Sequence, residues 1–217
     1  MDRERRLAAL FDMDGVVLDT EGQYDNFWRE QGRHYHPDKP EFHKMIKGQT
    51  TELILKNYFK GNVALQQQIS LELDEFESRM DFPYFPGVEL FIRTLQKHGV
   101  RTALVTSSNN KKMAHVLMVH PEFTELFERV ITADKITRSK PDPECYLLAA
   151  RELQMEVDVC CVFEDSFSGI EAGRRAGMKV VGLATTNPRE KIQDKVDWVL
   201  SDFTGCVYDE FIDLMER

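Results

Sequence analysis

Two acids one residue apart, Asp12 and Asp14, end the apolar run in LAALFDMDGVVLDT, residues 7–20, and a glycine, Gly15, follows them. Carboxylates at the end of a core strand are costly to bury unless a cation or hydrogen-bond donors compensate them. Three further stretches carry related chemistry. ALVTSS ends in Thr106, Ser107 and Ser108, TRSKPDPE holds Lys140 ahead of a proline, and VFEDS contains Glu164 and Asp165. Four carboxylates, a hydroxyl and an ammonium drawn to one crevice predict a hard divalent cation. Mg²⁺ prefers oxygen ligands, and the absence of His and Cys from the set argues against zinc. With the acids neutralised, Asp12 is free to attack an electrophile. Thr106 and Lys140 then hold a doubly charged group, phosphate above all, and Gly15 lets backbone amides approach it closely.

Each element of this set has an ordinary reading by itself. An isolated D-x-D is weak, a lone Lys140 is a solvated surface lysine, and Ser107-Ser108 is a turn or a helix cap. The functional reading rests on their joint order after successive core strands. Those strands are read as Leu7–Phe11, Arg101–Thr106, Arg129–Thr132, Val159–Phe163, Val180–Ala184 and Trp198–Leu200, several of them continuous apolar runs of the kind that parallel sheets bury on both faces. Helical patterns separate them at Gly87–His98, Lys111–His120, Pro143–Gln154 and Ser168–Ala176. The alternation predicts an α/β fold, a Rossmann-like doubly wound parallel sheet with right-handed crossovers. In such sheets ligands bind outside the carboxyl ends of the strands, where all four stretches lie.

The segment 20–85 breaks the rhythm. It is rich in helix formers, has no clear buried strand, and ends at FPYFPG, where Pro83 and Pro86 punctuate the chain. It reads as a small all-α domain inserted after the first strand, with residues 1–19 and 86–217 forming the core and hinges near Leu18–Glu21 and Phe82–Gly87.

The chain has 217 residues, 42% hydrophobic and 30% charged, with a formal charge of −9. That composition supports a packed globular core and argues against a general nucleic-acid surface. No apolar run is long enough to cross a membrane, and the charged start MDRERR leads into acids rather than a signal sequence. The four cysteines form no C-x-x-C, and Cys160-Cys161 lies in an apolar run, so buried reduced thiols and a cytoplasmic setting are expected.

The motifs as a set resemble the haloacid dehalogenase superfamily. FDMDGVVLDT resembles its first motif, ALVTSS its second, SKPDPECY its third, and VFEDSFSGIEAGRRAGM its fourth. The resemblance implies that Asp12 is a nucleophile forming an aspartyl-phosphate, and that Asp14 is the general acid and then the base. It implies that Thr106 and Lys140 bind the phosphoryl group. Mg²⁺ is implied to be held by Asp12, the backbone carbonyl of Asp14, Glu164 and Asp165. The insertion matches a helical cap that closes over the site.

The nearest branch resembles β-phosphoglucomutases and sugar-phosphate phosphatases. The mutase pattern has a His in the first cap helix and an Arg in the specificity loop, where this sequence has Tyr24 and Thr51. Lys47 could stand in for the arginine, but a point charge on a flexible stem copies a bidentate fork poorly. A phosphatase of small phosphorylated metabolites is therefore the expectation, with a mutase as the alternative. An aspartate-phosphorylated receiver-like module is a remoter one, and Asp14 argues against dehalogenation. Lys47, Gln49, Thr51 and Tyr24 in the cap, with Ser107 and Asn110 in the core, are the candidate substrate contacts. Asn109 is expected to cap a helix, Phe27 and Trp28 to pack in a core, and His34 and His36 to sit at a solvated helix end. A monomer is the default for an enzyme that carries its own cap.

Overall fold

The computed structural model describes residues 6–216. The charged start at residues 1–5 and residue 217 lie outside it. Six parallel strands form one sheet: β1 (Ala8–Phe11), β2 (Arg101–Val105), β3 (Arg129–Ile131), β4 (Cys160–Glu164), β5 (Lys179–Leu183) and β6 (Trp198–Leu200). Their order is β3-β2-β1-β4-β5-β6, the doubly wound Rossmann order. β1 pairs with β2 through Phe11↔Leu104 and with β4 through Phe11↔Phe163, so the winding reverses beside β1.

Period-two alternation sends neighbouring strand residues to opposite faces. Ala9, Phe11, Leu104, Cys161 and Phe163 enter one buried cluster, and Ala8, Leu10, Ala103, Cys160 and Val162 enter the other. Cys160 and Cys161 thus face different layers, and all four cysteines are free thiols. Burial pushes the Cys160 thiol up to about 12. Helices α5 (Val88–Lys97), α6 (Asn110–Val119), α8 (Glu144–Glu152) and α9 (Phe167–Arg175) cover the sheet, joined by the short α7 (Phe123–Leu126) and α10 (Arg189–Ile192). The strand and helix ranges fall within a residue or two of those read from sequence. The closing helix α11 (Tyr208–Glu216) is additional; it buries Phe211, Leu214 and Met215 at helical spacing.

Between β1 and α5 stand four helices, α1 (Glu21–Tyr35), α2 (Phe42–Met45), α3 (Thr51–Tyr58) and α4 (Val63–Glu77). They share a cluster of their own, with Trp28, Phe42, Ile54, Phe59, Ile69 and Leu73 buried in it. Phe27 stacks on Phe76 at 5.1 Å, and His36 stacks on Phe42 at 4.8 Å. The chain enters and leaves this segment side by side. Leu18 bridges Tyr84, the Asp19 amide donates to the Pro83 carbonyl, and the Phe85 amide donates to that of Val17. Among the described residues no helix is long and apolar enough to cross a membrane.

Phe11 is the aromatic centre of the sheet, fully buried and stacked on Phe163 at 4.5 Å with an interplanar angle of 7°. Phe11→Ala should cost about 3–5 kcal/mol, the usual price of a large core cavity. Urea denaturation measures it, and an unchanged midpoint would show that the neighbouring rings collapse into the space.

Candidate active site

The crevice beside the reversal of winding collects the acids. β1 delivers Asp12 and then Asp14; β4 delivers Glu164 and Asp165. The turn after β1 closes tightly, with the Val17 and Leu18 amides both donating to the Met13 carbonyl. Gly15 sits there with φ +83°. Its amide donates to the Leu18 carbonyl and its carbonyl accepts from Thr185, so the amide is engaged in the turn rather than presented to a ligand. The need for glycine has another source: a Cβ at this position would lie 2.1 Å from Asp165 Oδ2.

Lys140 is the buried cation of the site, 1% exposed. Its Nζ donates to Asp12 Oδ1 at 2.5 Å and to Glu164 Oε1 at 2.6 Å. Burial alone would depress this ammonium, yet Asp12 and Glu164 hold it well above the ordinary lysine value. Glu164 is saturated with donors. Tyr146 also donates to Oε1, and Oε2 accepts from the Asp165 and Ser166 amides and the Ser166 hydroxyl. The Ser166 hydroxyl in turn caps α9 by accepting from the Gly169 amide.

Asp12, Glu164 and Asp165 bring carboxylate oxygens within 4.8 Å of one another. Burial pushes Asp12 up to about 8 against the pull of Lys140. Burial, joined by the charges of Glu164, Glu21 and Asp12, raises Asp165 well above the usual carboxylate range. One lysine does not neutralise this cluster, and its donors are all hard oxygens. The residues present therefore fit a divalent cation such as Mg²⁺. Asp12 and Asp165 are the freer ligands, and Glu164 the most committed to protein partners.

Asp14 points elsewhere. Its Oδ1 accepts from Thr20 and from Lys112 Nζ, each at 2.5 Å, and its Oδ2 accepts from Ser108 at 3.1 Å. Lys112 is 1% exposed and lies 4.4 Å from the centre of the Tyr24 ring. Sequence reasoning missed this lysine: in SNNKKMAH it looks like a surface residue of an amphipathic helix. The one available signal is spacing, since Lys112, Met113 and Val116 form the buried stripe of α6.

Of the other expected contacts, Tyr24, Lys47, Gln49, Thr51 and Ser107 line one cavity with Asp12, Asp14 and Asp165. Thr106 lies just behind it, 2% exposed, its hydroxyl accepting from the Ser108 amide. Asn110 needs correction as a substrate contact. Its side chain accepts from Thr132 at 2.8 Å and its amide donates to Asp134, which turns it toward β3. Asn109 lines the cavity instead and also caps α6, accepting from the Lys112 amide. The helical segment is seated on this rim. Ser107 donates to the Gly48 carbonyl, Ser168 to the Lys47 carbonyl, and the Thr50 amide to Ser139.

Residues 9–183 match the family model of the haloacid dehalogenase-like hydrolases. The chain belongs to that family. Among curated proteins it is 31% identical over 184 residues to the fructose-1-phosphate phosphatase YqaB of Escherichia coli, covering 83% of this chain and 97% of that one. It is 27% identical over 211 residues to the bifunctional riboflavin kinase/FMN phosphatase of Arabidopsis thaliana, covering 89% of this chain but only 52% of that protein. Among solved structures, β-phosphoglucomutase from Clostridium difficile superposes with a TM-score of 0.80 at 21% identity, over 97% of each chain. At that identity the likeness is one of fold.

Lys112→Met should remove the buried partner of Asp14 at a cost on the order of 3 kcal/mol, because a carboxylate loses its countercharge. In a double-mutant cycle with Asp14→Asn the second substitution should add little. Fully additive losses would show that the two side chains are not coupled.

Proposed function

We propose that this chain is a Mg²⁺-dependent phosphatase that hydrolyses small phosphate monoesters, sugar phosphates foremost, through an aspartyl-phosphate on Asp12. The observation that carries the reading is the separation of the two acids. Asp12 is held against Lys140 among the clustered carboxylate oxygens of Glu164 and Asp165, whereas Asp14 is held apart by Thr20, Lys112 and Ser108 on the cavity side. This separation supports a reading in which one carboxylate attacks and the other moves protons.

In this reading an oxygen of Asp12 attacks phosphorus as the bond to the leaving oxygen breaks, and Asp14 donates its proton to that oxygen. Asp14 then takes a proton from water. The water oxygen attacks phosphorus, returning the Asp12 carboxylate and releasing inorganic phosphate. Lys140 and Thr106 hold the transferring group. Asp12, Asp165, Glu164 and the Asp14 carbonyl would hold the Mg²⁺, whose chemistry is to set positive charge against the carboxylates and the phosphoryl oxygens. Segment 20–85 acts as a cap that excludes water and carries specificity through Tyr24, Lys47, Gln49 and Thr51. The names of the two curated relatives support hydrolysis of a phosphate ester.

Chelation should abolish turnover and added Mg²⁺ restore it. Asp12→Asn should lower turnover by about 10³-fold or more, and Asp14→Asn by about 10²–10⁴-fold. Steady-state phosphate release from fructose 1-phosphate checks all three, and near-normal turnover by Asp12→Asn would sink the mechanism. With β-glucose 1-phosphate and a trace of the 1,6-bisphosphate, phosphate should appear faster than glucose 6-phosphate. The reverse order would establish the mutase reading.

A further inference from the structure

The helical segment contributes its part of the cavity lining through α1 and the loop between α2 and α3, with Glu21, Asp25 and Lys47 on it, and through Glu77 of α4. Among the described residues Lys47 is the one lysine or arginine that lines this cavity. It is already taken. Its Nζ contacts the Glu21 carboxylate and lies 2.9 Å from Asp25 Oδ1, and its side chain is only 15% exposed. Burial opposes its charge, yet the two acids raise it above the ordinary lysine value. Arg29, the next cation along α1, contacts His43 Nε2 at 3.4 Å instead. Two carboxylates against one ammonium leave this wall with an excess of negative charge and of hydrogen-bond acceptors. Glu77 adds another acceptor, and the Tyr24 hydroxyl is already committed to it at 2.7 Å.

A leaving group bearing a second phosphate or a carboxylate would enter against Glu21 and Asp25 with no free lysine or arginine to receive it, and burial disfavours the charged form of His43 on the same lining. Hydroxyl groups, by contrast, donate to carboxylates at no cost in charge. Trp28, 6% exposed and lining the same cavity, offers an apolar edge for the carbon skeleton between them. We propose that Glu21, Asp25 and Lys47 form a leaving-group subsite that accepts an uncharged, polyhydroxylated alcohol and rejects one carrying a second anionic group. Lys47 serves there as the tie between two carboxylates and not as a clamp for a distal phosphate. The proposal rests on the phosphatase reading and names its substrate class.

The test compares glycerol 3-phosphate with 3-phosphoglycerate, whose leaving alcohols differ by a hydroxymethyl group against a carboxylate. The wild-type kcat/KM should favour glycerol 3-phosphate by at least about tenfold, the scale of one like-charge contact. In the Glu21→Gln, Asp25→Asn double variant Lys47 is released, and that ratio should fall by about tenfold or reverse. Asp25→Asn alone, at a partly exposed position, should move it the same way. Lys47→Met should hold or widen it. A wild-type ratio near one overturns the proposal. So does an unchanged ratio in both acid variants while each still hydrolyses p-nitrophenyl phosphate. Absence of any phosphate release by wild type from p-nitrophenyl phosphate or either ester overturns the phosphatase reading itself, and the subsite with it.

Discussion

Negative charge buried at one point of a parallel sheet is the constraint on which this structure turns. Asp12, Glu164 and Asp165 are at most 8% exposed. Lys140 compensates two of them and is brought in by the loop ahead of α8, not by a strand. Glu164 receives further donors locally, from Tyr146 and from the amides of Asp165 and Ser166. Ser166 caps α9 through the Gly169 amide, and its own amide and hydroxyl complete the shell of Glu164. Two glycines exist to make room: a Cβ at Gly169 would stand 1.7 Å from Glu164 Oε1, and one at Gly15 would meet Asp165. Helix start, turn conformation and side-chain volume around the crevice are all set by where carboxylate oxygens must go.

The aromatic layer beneath serves the same end. Phe11 immediately precedes Asp12 and Phe163 immediately precedes Glu164, and their stacked rings fix the two strand ends side by side. Phe91 and Phe203 close around them at 6.5 and 6.2 Å from Phe11. Packing of this kind gives the acids above it little freedom to relax apart, which is what a preorganised site requires.

The sheet was legible in the sequence because parallel strands covered on both faces read as unbroken apolar runs. The acidic corner was legible because Asp12, Glu164 and Asp165 follow those runs directly. What escaped notice depends on tertiary contact. Lys112 is hidden because nothing in SNNKKMAH says that the start of α6 will lie beneath Tyr24 of α1, some ninety residues earlier in the chain. Asn109 and Asn110 are adjacent and chemically identical, and only the capping geometry of α6 decides which one meets the cavity. Gly15 was recognised as necessary, but the reason is a carboxylate from β4 that no local reading of the first motif contains. α11 was not read, although its buried Phe211, Leu214 and Met215 fall at helical spacing.

The paired connections at Leu18–Tyr84 and Val17–Phe85 bear on inheritance. Because the helical segment departs and returns through one narrow ribbon, the path of the sheet is indifferent to what the ribbon encloses. A change of length within α1 to α4 need not shift any strand by a residue, provided the two ends still meet and the contacts of Lys47, Gly48 and Thr50 with the core are kept. Substitutions in that segment change the cavity wall that Tyr24, Lys47, Gln49 and Thr51 line, while the strands keep Asp12 and Glu164 in place. A lineage built this way can vary about three tenths of its sequence, residues 20–85 of 217, while the strands that carry the acids keep their register.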